Sequence, residues 1–297
     1  MTTSTLNLPV VAEIAQVETL MRKQAENHHP DLQSALNLLL DSGGKRIRPS
    51  ITILVGRLLG GDIDRLITLA AAIEMLHTAT LVHDDLIDGA LLRRGTPTLN
   101  SQWSPAATVL TGDFLFARAA ILAAETNAPK VIRVFANTLG IIVNGEITQL
   151  FSSRCNPSRE DYYQRIYAKT ASLFETSTTT AAMISAADDI AREQMRRYGY
   201  EIGIAFQIID DILDFTADQK TFGKPVGEDL RQGLITLPAL YYFERNPNDP
   251  SVRAVLDGNC EIMKARVNDL IQSIRQSDAI HRAYEEATQH VQIALEQ

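Results

Sequence analysis

Two acidic clusters share one spacing: Asp84, Asp85 and Asp88 in LVHDDLID, and Asp210, Asp211 and Asp214 in QIIDDILDF. On a helix, residues four apart share a face, so Asp84 projects with Asp88 and Asp210 with Asp214, the third aspartate lying beside each pair. A lone DDxxD is equally well read as a solvated helix face. Two clusters, each embedded in apolar residues, change that balance, because ionised carboxylates beside a core face need cations or must shift their pKa values. Oxygen-only ligands on helices suit Mg2+, which keeps waters and bridges carboxylates to substrate phosphates. The simplest occupant is a diphosphate held between two facing helices.

The cations point the same way. GGKRIRP places Lys45, Arg46 and Arg48 after a glycine turn, Arg93 and Arg94 follow the first acidic cluster, Lys169-Thr170 stands in an uncharged stretch, and Lys220 and Lys224 follow the second cluster. Each alone reads as a solvated surface residue. Gathered beside acidic helices in a chain of formal net charge -8, they suggest anionic substrates, arginine for bidentate phosphate recognition and lysine as a point charge.

The elements that must carry these residues are helices. Apolar residues recur at three- and four-residue spacing almost throughout, and alternating strand patterns are absent. Breaks fall at His29-Pro30, Ser42-Gly43-Gly44, Leu59 to Asp62, Gly95-Thr96-Pro97, Asn127 to Pro129, Cys155 to Pro157, Gly223 to Gly227 and Asn246 to Pro250. No break is long enough to be a linker. The expectation is an all-α chain, one helical domain over 1–297 built from roughly ten or more helices, with the segment after Pro250 open to reading as an appendage.

Composition closes off other classes. At 297 residues and 45% hydrophobic, the chain can bury a large core. The negative balance argues against a nucleic-acid partner, and Cys155 and Cys260 form no CxxC, as expected of a reduced compartment. MTTSTLNLPVVAEIAQ lacks the basic start and hydrophobic block of a signal peptide. The most apolar stretch, LITLAAAIEMLHTATLV, is interrupted by Glu74 and His77 and reads as too short for a membrane span. These readings imply a soluble, cytoplasmic protein without a transmembrane segment.

With its motifs taken together, the chain resembles the trans-isoprenyl diphosphate synthases of the polyprenyl synthetase type. The matching stretches are GGKRIRP (43–49), EMLHTATLVHDDLID (74–88), LLRRGTPT (91–98), GDFLFARA (112–119), GEITQL (145–150), YAKTASLFE (167–175), IGIAFQIIDDILDF (202–215) and GKPVGEDLRQGLITLP (223–238). They follow the family's order. The resemblance implies the isoprenoid synthase fold, a helical bundle around a central cavity, and a prenyltransferase that joins isopentenyl diphosphate to an allylic diphosphate such as farnesyl or geranylgeranyl diphosphate. It implies that Asp84, Asp88 and Asp210, supported by Asp85, Asp211 and Asp214, hold Mg2+ ions, and that Arg93, Lys169, Thr170, Gln207 and Lys224 contact the allylic diphosphate. Lys45, Arg46, Arg48, His77 and Arg94 match the region that binds isopentenyl diphosphate, with Phe206 as an aromatic contact. His83 is read as a capping or packing residue.

Product length rests on Ala79 and Thr80, one helical turn before Asp84 and roughly 6 to 7.5 Å deeper by helical rise. In the family, bulky aromatics there cap the tunnel of short-chain enzymes. Small residues imply a long polyprenyl product, heptaprenyl to decaprenyl, with Leu76, Ile73 and Ile141 to Val143 as either tunnel floor or plain core. The sequence departs from the family at Leu234, where many members have lysine, and at Leu91, where an acidic residue is common. The alternatives are a geranylgeranyl-length synthase, a subunit of a heteromeric synthase, and a terpene cyclase of the same fold, which the intact DDILD counts against. A homodimer through the helix from Ala106 to Glu125 is the expected assembly.

Overall fold

The computed structural model describes residues 9–93, 95–151, 157–216, 226–257, 261 and 265–297. In chain order its helices are α1 (Val11–Lys23), α2 (Pro30–Asp41), α3 (Ile47–Leu58), α4 (Ile63–Ile87), α5 (Leu99–Gln102), α6 (Pro105–Glu125), α7 (Pro129–Phe151), α8 (Arg159–Ile166), α9 (Ser172–Met183), α10 (Asp189–Thr216), α11 (Glu228–Arg231), α12 (Leu237–Arg245), α13 (Pro250–Leu256), α14 (Val267–Gln276) and α15 (Ala279–Leu295). A π turn, Tyr167–Ala171, joins α8 to α9. Two antiparallel two-residue strands, Leu92–Arg93 and Thr96–Pro97, form a small hairpin, which the helical periodicity did not foreshadow. The chain forms two compact units, one of residues 1–138 and 175–196, the other of 139–174 and 197–297.

In the first unit α4 is the axis, packed by α6, α3 and α1. It begins at Asp62, whose carboxylate accepts from the backbone N–H of Arg65 at 3.0 Å. Its residues from Leu66 to Met75 are buried almost without interruption, as expected of a helix that is apolar on every side. Glu74 does not break it: the carboxylate pairs with Arg46 at 3.0 Å, so the helix runs continuously for 25 residues. This corrects the expectation that the stretch is too short for a membrane span. By length and composition α4, α6 and α7 could each cross a membrane, although 72% of the apolar window in α4 is buried against protein. Helices α4 and α6 approach closely because Gly112 carries no side chain, since a Cβ there would lie 2.2 Å from the His83 ring. His83 therefore packs across the helix pair, with Nε2 3.2 Å from the Val109 carbonyl.

The second unit has one continuous core from α8, the π turn, α10, α11, α12, α13, α14 and α15, with Tyr162, Ile204, Ile208, Phe215, Leu237 and Ile274 in its centre. Val252, Val255, Leu270 and Ala283 belong to that core, so the segment after Pro250 is not an appendage. Glu286 of α15 ties this helix to two others: it accepts from Arg159 at 2.9 Å and from the hydroxyls of Tyr163 and Tyr241.

Candidate active site

Each unit carries one acidic cluster. In the first, Asp84, Asp85 and Asp88 end α4, and that end is fixed by backbone geometry. Gly89 takes φ 63°, its N–H reaches the Leu86 carbonyl at 3.2 Å, and the Ala90 N–H reaches the Asp85 carbonyl at 2.9 Å. This is the paired bonding of a Schellman stop, for which a left-handed glycine is the favoured residue. Past it, Thr98 donates to the Ala90 carbonyl at 2.7 Å, folding the hairpin back toward the helix end. The hairpin carries Arg93, whose Nε donates to Asp85 Oδ1 at 2.8 Å. Asp85 is only 5% exposed, Asp84 is half-buried and Asp88 is exposed.

Upstream, Arg48 Nη1 lies 3.3 Å from His77 Nε2, both side chains half-buried, with Lys45 exposed nearby in sequence. Arg46 is different. Its Nε, Nη1 and Nη2 donate to Glu18 at 2.7 Å, Glu74 at 3.0 Å and the Leu40 carbonyl at 3.0 Å. Burial alone would lower its pKa, but Glu74 and Glu18 outweigh burial and raise it. Three of its five N–H donors are thus used within the protein, where Arg46 ties the start of α3 to α1, α2 and α4, a bracing role beside the contact with isopentenyl diphosphate that the resemblance implies. Ala79 is fully buried, and Thr80 is half-buried with its hydroxyl on the His77 carbonyl at 2.7 Å.

In the second unit, Asp210, Asp211 and Asp214 lie near the end of α10, exposed, buried and half-buried in turn. Asp211 is 3% exposed, and both of its oxygens accept: Oδ1 from Gln207 Nε2 at 2.8 Å and Oδ2 from the Tyr162 hydroxyl at 2.7 Å. Gln207 Oε1 in turn accepts from the Thr170 hydroxyl at 2.6 Å. Burial, then the Asp229 charge, pushes the Asp211 carboxyl up to about 7, against the pull of Gln207, Tyr162 and Arg165. Burial and Asp229 likewise push Asp214 up to about 6, although it accepts the N–H groups of Glu228 at 3.1 Å and Asp229 at 3.3 Å. Lys169 Nζ lies 3.0 Å from Glu146 Oε1. The Phe206 ring meets Phe174 at 5.2 Å between centroids. Arg94, Lys220 and Lys224 lie outside the described residues.

Sequence reasoning did not single out Glu146, Tyr162 or Asp229. Glu146 and Asp229 stand inside quoted motifs, and their acidity beside cations was the available signal. Tyr162 sits in DYYQRIY, where nothing distinguishes a donor from core.

Among the described residues, no three of His, Cys, Asp and Glu close around a point as a complete metal cage. That arrangement still fits Mg2+, which takes one or two carboxylates with waters and substrate phosphate oxygens. The donor set is carboxylate oxygen, and the Asp211 and Asp214 carboxyls are pushed up first by burial and then by the charge of Asp229, a setting in which a divalent cation would favour the ionised forms. A separate cavity of about 570 Å³ in the first unit is lined by Lys130, Thr179, Met183, Arg192 and Arg196, and it contains none of the residues expected to act on substrate.

The comparisons with known proteins bear on this arrangement. The family model described as polyprenyl synthetase matches residues 29–276. The heptaprenyl diphosphate synthase component 2 of Geobacillus stearothermophilus is 37% identical over 95% of this chain and 88% of its own length. The octaprenyl diphosphate synthase of Haemophilus influenzae is 36% identical over 85% of this chain and 73% of its own. The crystal structure of a polyprenyl synthase from Caulobacter crescentus, complexed with calcium and isoprenyl diphosphate, superposes with a TM-score of 0.87 at 36% identity, over 96% of this chain and 88% of that one. The chain belongs to the polyprenyl synthetase family, whose members are transferases that generally use a divalent metal.

Proposed function

We propose that this chain is a Mg2+-dependent prenyltransferase that condenses isopentenyl diphosphate with an allylic diphosphate, farnesyl or geranylgeranyl diphosphate as primer, and releases diphosphate. Its product is a long all-trans polyprenyl diphosphate in the heptaprenyl to decaprenyl range. The observation that carries this reading is that both acidic clusters are complete and each is braced by its own donors, Arg93 on Asp85 and the Tyr162 and Gln207 pair on Asp211. The heptaprenyl and octaprenyl relatives support the long product, as do the small side chains at Ala79 and Thr80.

Bound Mg2+ supplies positive charge to the diphosphate and to the negative charge that grows on it as the allylic C–O bond breaks. The carboxylates of Asp84 and Asp88 in the first unit, and that of Asp210 in the second, are the groups that would hold such ions. Arg93 and Lys169 add fixed positive charge for the departing group, which is stabilisation by preorganised electrostatics. The electron pair leaves with the diphosphate, and the double bond of isopentenyl diphosphate attacks the allylic cation to form the new C–C bond. A proton is then lost to the released diphosphate, so the enzyme needs no nucleophile of its own. Lys45, Arg48 and His77 would bind the isopentenyl diphosphate.

Incubation with Mg2+, labelled isopentenyl diphosphate and either primer, followed by separation of the dephosphorylated products, tests the reading. The expected result is a ladder ending in one prenol of seven to ten isoprene units, whereas a main product of farnesyl or geranylgeranyl length would refute the chain-length assignment. A homodimer is part of this proposal, supported by Val109, Leu110 and Ile121, which lie exposed on α6. A second reading, a catalytic subunit that needs a partner, is favoured by the relative named as a component 2. Elongation by the pure protein alone would exclude it.

A further inference from the structure

A chain of three hydrogen bonds joins three elements of the second unit. Thr170 in the π turn donates to Gln207, Gln207 donates to Asp211, and Tyr162 of α8 donates to the other oxygen of Asp211, at 2.6, 2.8 and 2.7 Å. Gln207 and Asp211 are one turn apart on α10 and share a face. Tyr162 and Thr170 are eight residues apart, which on an unbroken α-helix leaves them about 80° out of line. The wider turn at Tyr167–Ala171 reduces that offset, since i→i+5 bonding turns the chain less per residue. The π turn thus lets one strut present both a phenol and a hydroxyl to the same pair on α10.

Tyr162 is 1% exposed, and the Arg165 guanidinium lies 5.6 Å from its ring centroid. At 2.7 Å from a carboxylate oxygen, which can only accept, the hydroxyl is the donor. Its ring belongs to the core cluster, which a phenylalanine would fill equally well. The hydroxyl is the part that packing does not require.

We propose that Tyr162 is a positioning residue: through its hydroxyl it fixes the Asp211 carboxylate, and through Asp211 and Gln207 it sets the second acidic cluster for Mg2+ and Thr170 for the allylic diphosphate. This rests on the prenyltransferase reading. Groups that orient a metal site from behind typically change metal affinity or activity about 10- to 100-fold when removed.

The test is a double-mutant cycle on the full chain, comparing wild type, Tyr162→Phe, Asp211→Asn and the double variant, with Tyr163→Phe as control because that neighbouring hydroxyl serves Glu286 instead. Two readouts are taken: the Mg2+ concentration for half-maximal elongation, and the rise in Tm caused by Mg2+ with inorganic diphosphate. Tyr162→Phe is expected to raise the Mg2+ requirement about 10-fold and to shrink the ligand-induced Tm rise, while Tyr163→Phe changes neither. In the Asp211→Asn background, Tyr162→Phe should add nothing. A 4-aminophenylalanine at position 162 keeps the ring and a donor, so it should restore the Mg2+ response even if the phenylalanine variant folds poorly. A wild-type Mg2+ response in Tyr162→Phe, losses that multiply with those of Asp211→Asn, or no recovery with 4-aminophenylalanine would overturn the proposal. Wild type lacking both elongation and the Tm rise would overturn the functional reading and this inference with it, whereas wild type showing both beside an unaltered Tyr162→Phe would overturn this inference alone.

Discussion

Replacing Gly89 with alanine tests how the first acidic cluster is held. The residue has φ 63°, and a Cβ placed there meets nothing within 4 Å, so the substitution changes backbone preference without creating a clash. A left-handed conformation costs an L-residue about 1–2 kcal/mol. At about 2–4 °C of Tm per kcal/mol for domains of 150–250 residues, Gly89→Ala should lower Tm by roughly 2–8 °C. The chain can relieve this strain by giving up the bond from Ala90 N–H to the Asp85 carbonyl, 2.9 Å in length, which loosens the turn that carries Asp84 to Asp88. The Mg2+ requirement for elongation should then rise, while the KM for isopentenyl diphosphate stays near wild type. Gly89→Asn should recover most of both losses, because asparagine visits the left-handed region more readily. Thermal denaturation and a Mg2+ titration of elongation measure the two effects. If both variants match wild type in Tm and Mg2+ response, the glycine stop does not position the cluster.

Three further outcomes follow from particular residues. Ala79→Phe should shorten the product, at about 1–3 kcal/mol of stability for adding bulk to a fully buried site; an unchanged product length would remove Ala79 from the account. Arg46→Met should cost about 3–5 kcal/mol by leaving Glu74 buried without its guanidinium, and Arg46→Met with Glu74→Met should restore much of that. An unchanged Tm with a raised KM for isopentenyl diphosphate would instead leave Arg46 with substrate binding alone. Asp211 has a folded-state pKa of about 7, raised from 3.8, so in metal-free protein its contribution to stability is fully present below pH 3.8 and is lost as pH rises through about 7. Tm measured in a chelator should therefore fall more steeply over that window in wild type than in Asp211→Asn, and equal slopes would contradict the assignment.

Much of this was legible from spacing alone. The two DDxxD clusters, the helical periodicity and the breaks at proline and glycine are local patterns, and local patterns survive folding unchanged. Arg46 shows where legibility ends: in GGKRIRP it looks like its neighbours, and only the fold brings Glu18 and Glu74, each 28 residues away, to its guanidinium. Tyr162 is the converse, an aromatic in the polar stretch REDYYQRI whose hydroxyl acquires its partner 49 residues later. The π turn was equally hidden, since an inserted turn leaves the composition of YAKTA ordinary. Glu74 misled the membrane reading because a buried charge interrupts a hydropathy pattern even when its partner makes burial tolerable.

The central claim is that this chain breaks an allylic C–O bond and makes a C–C bond each time it consumes isopentenyl diphosphate. The most direct measurement is the amount of inorganic diphosphate released against isopentenyl diphosphate consumed, with farnesyl diphosphate as primer, in the presence and absence of Mg2+. The account predicts equal molar amounts, dependent on the metal and abolished by Asp84→Ala. Folded wild-type protein that consumes no isopentenyl diphosphate, or a signal that persists in Asp84→Ala, would contradict it.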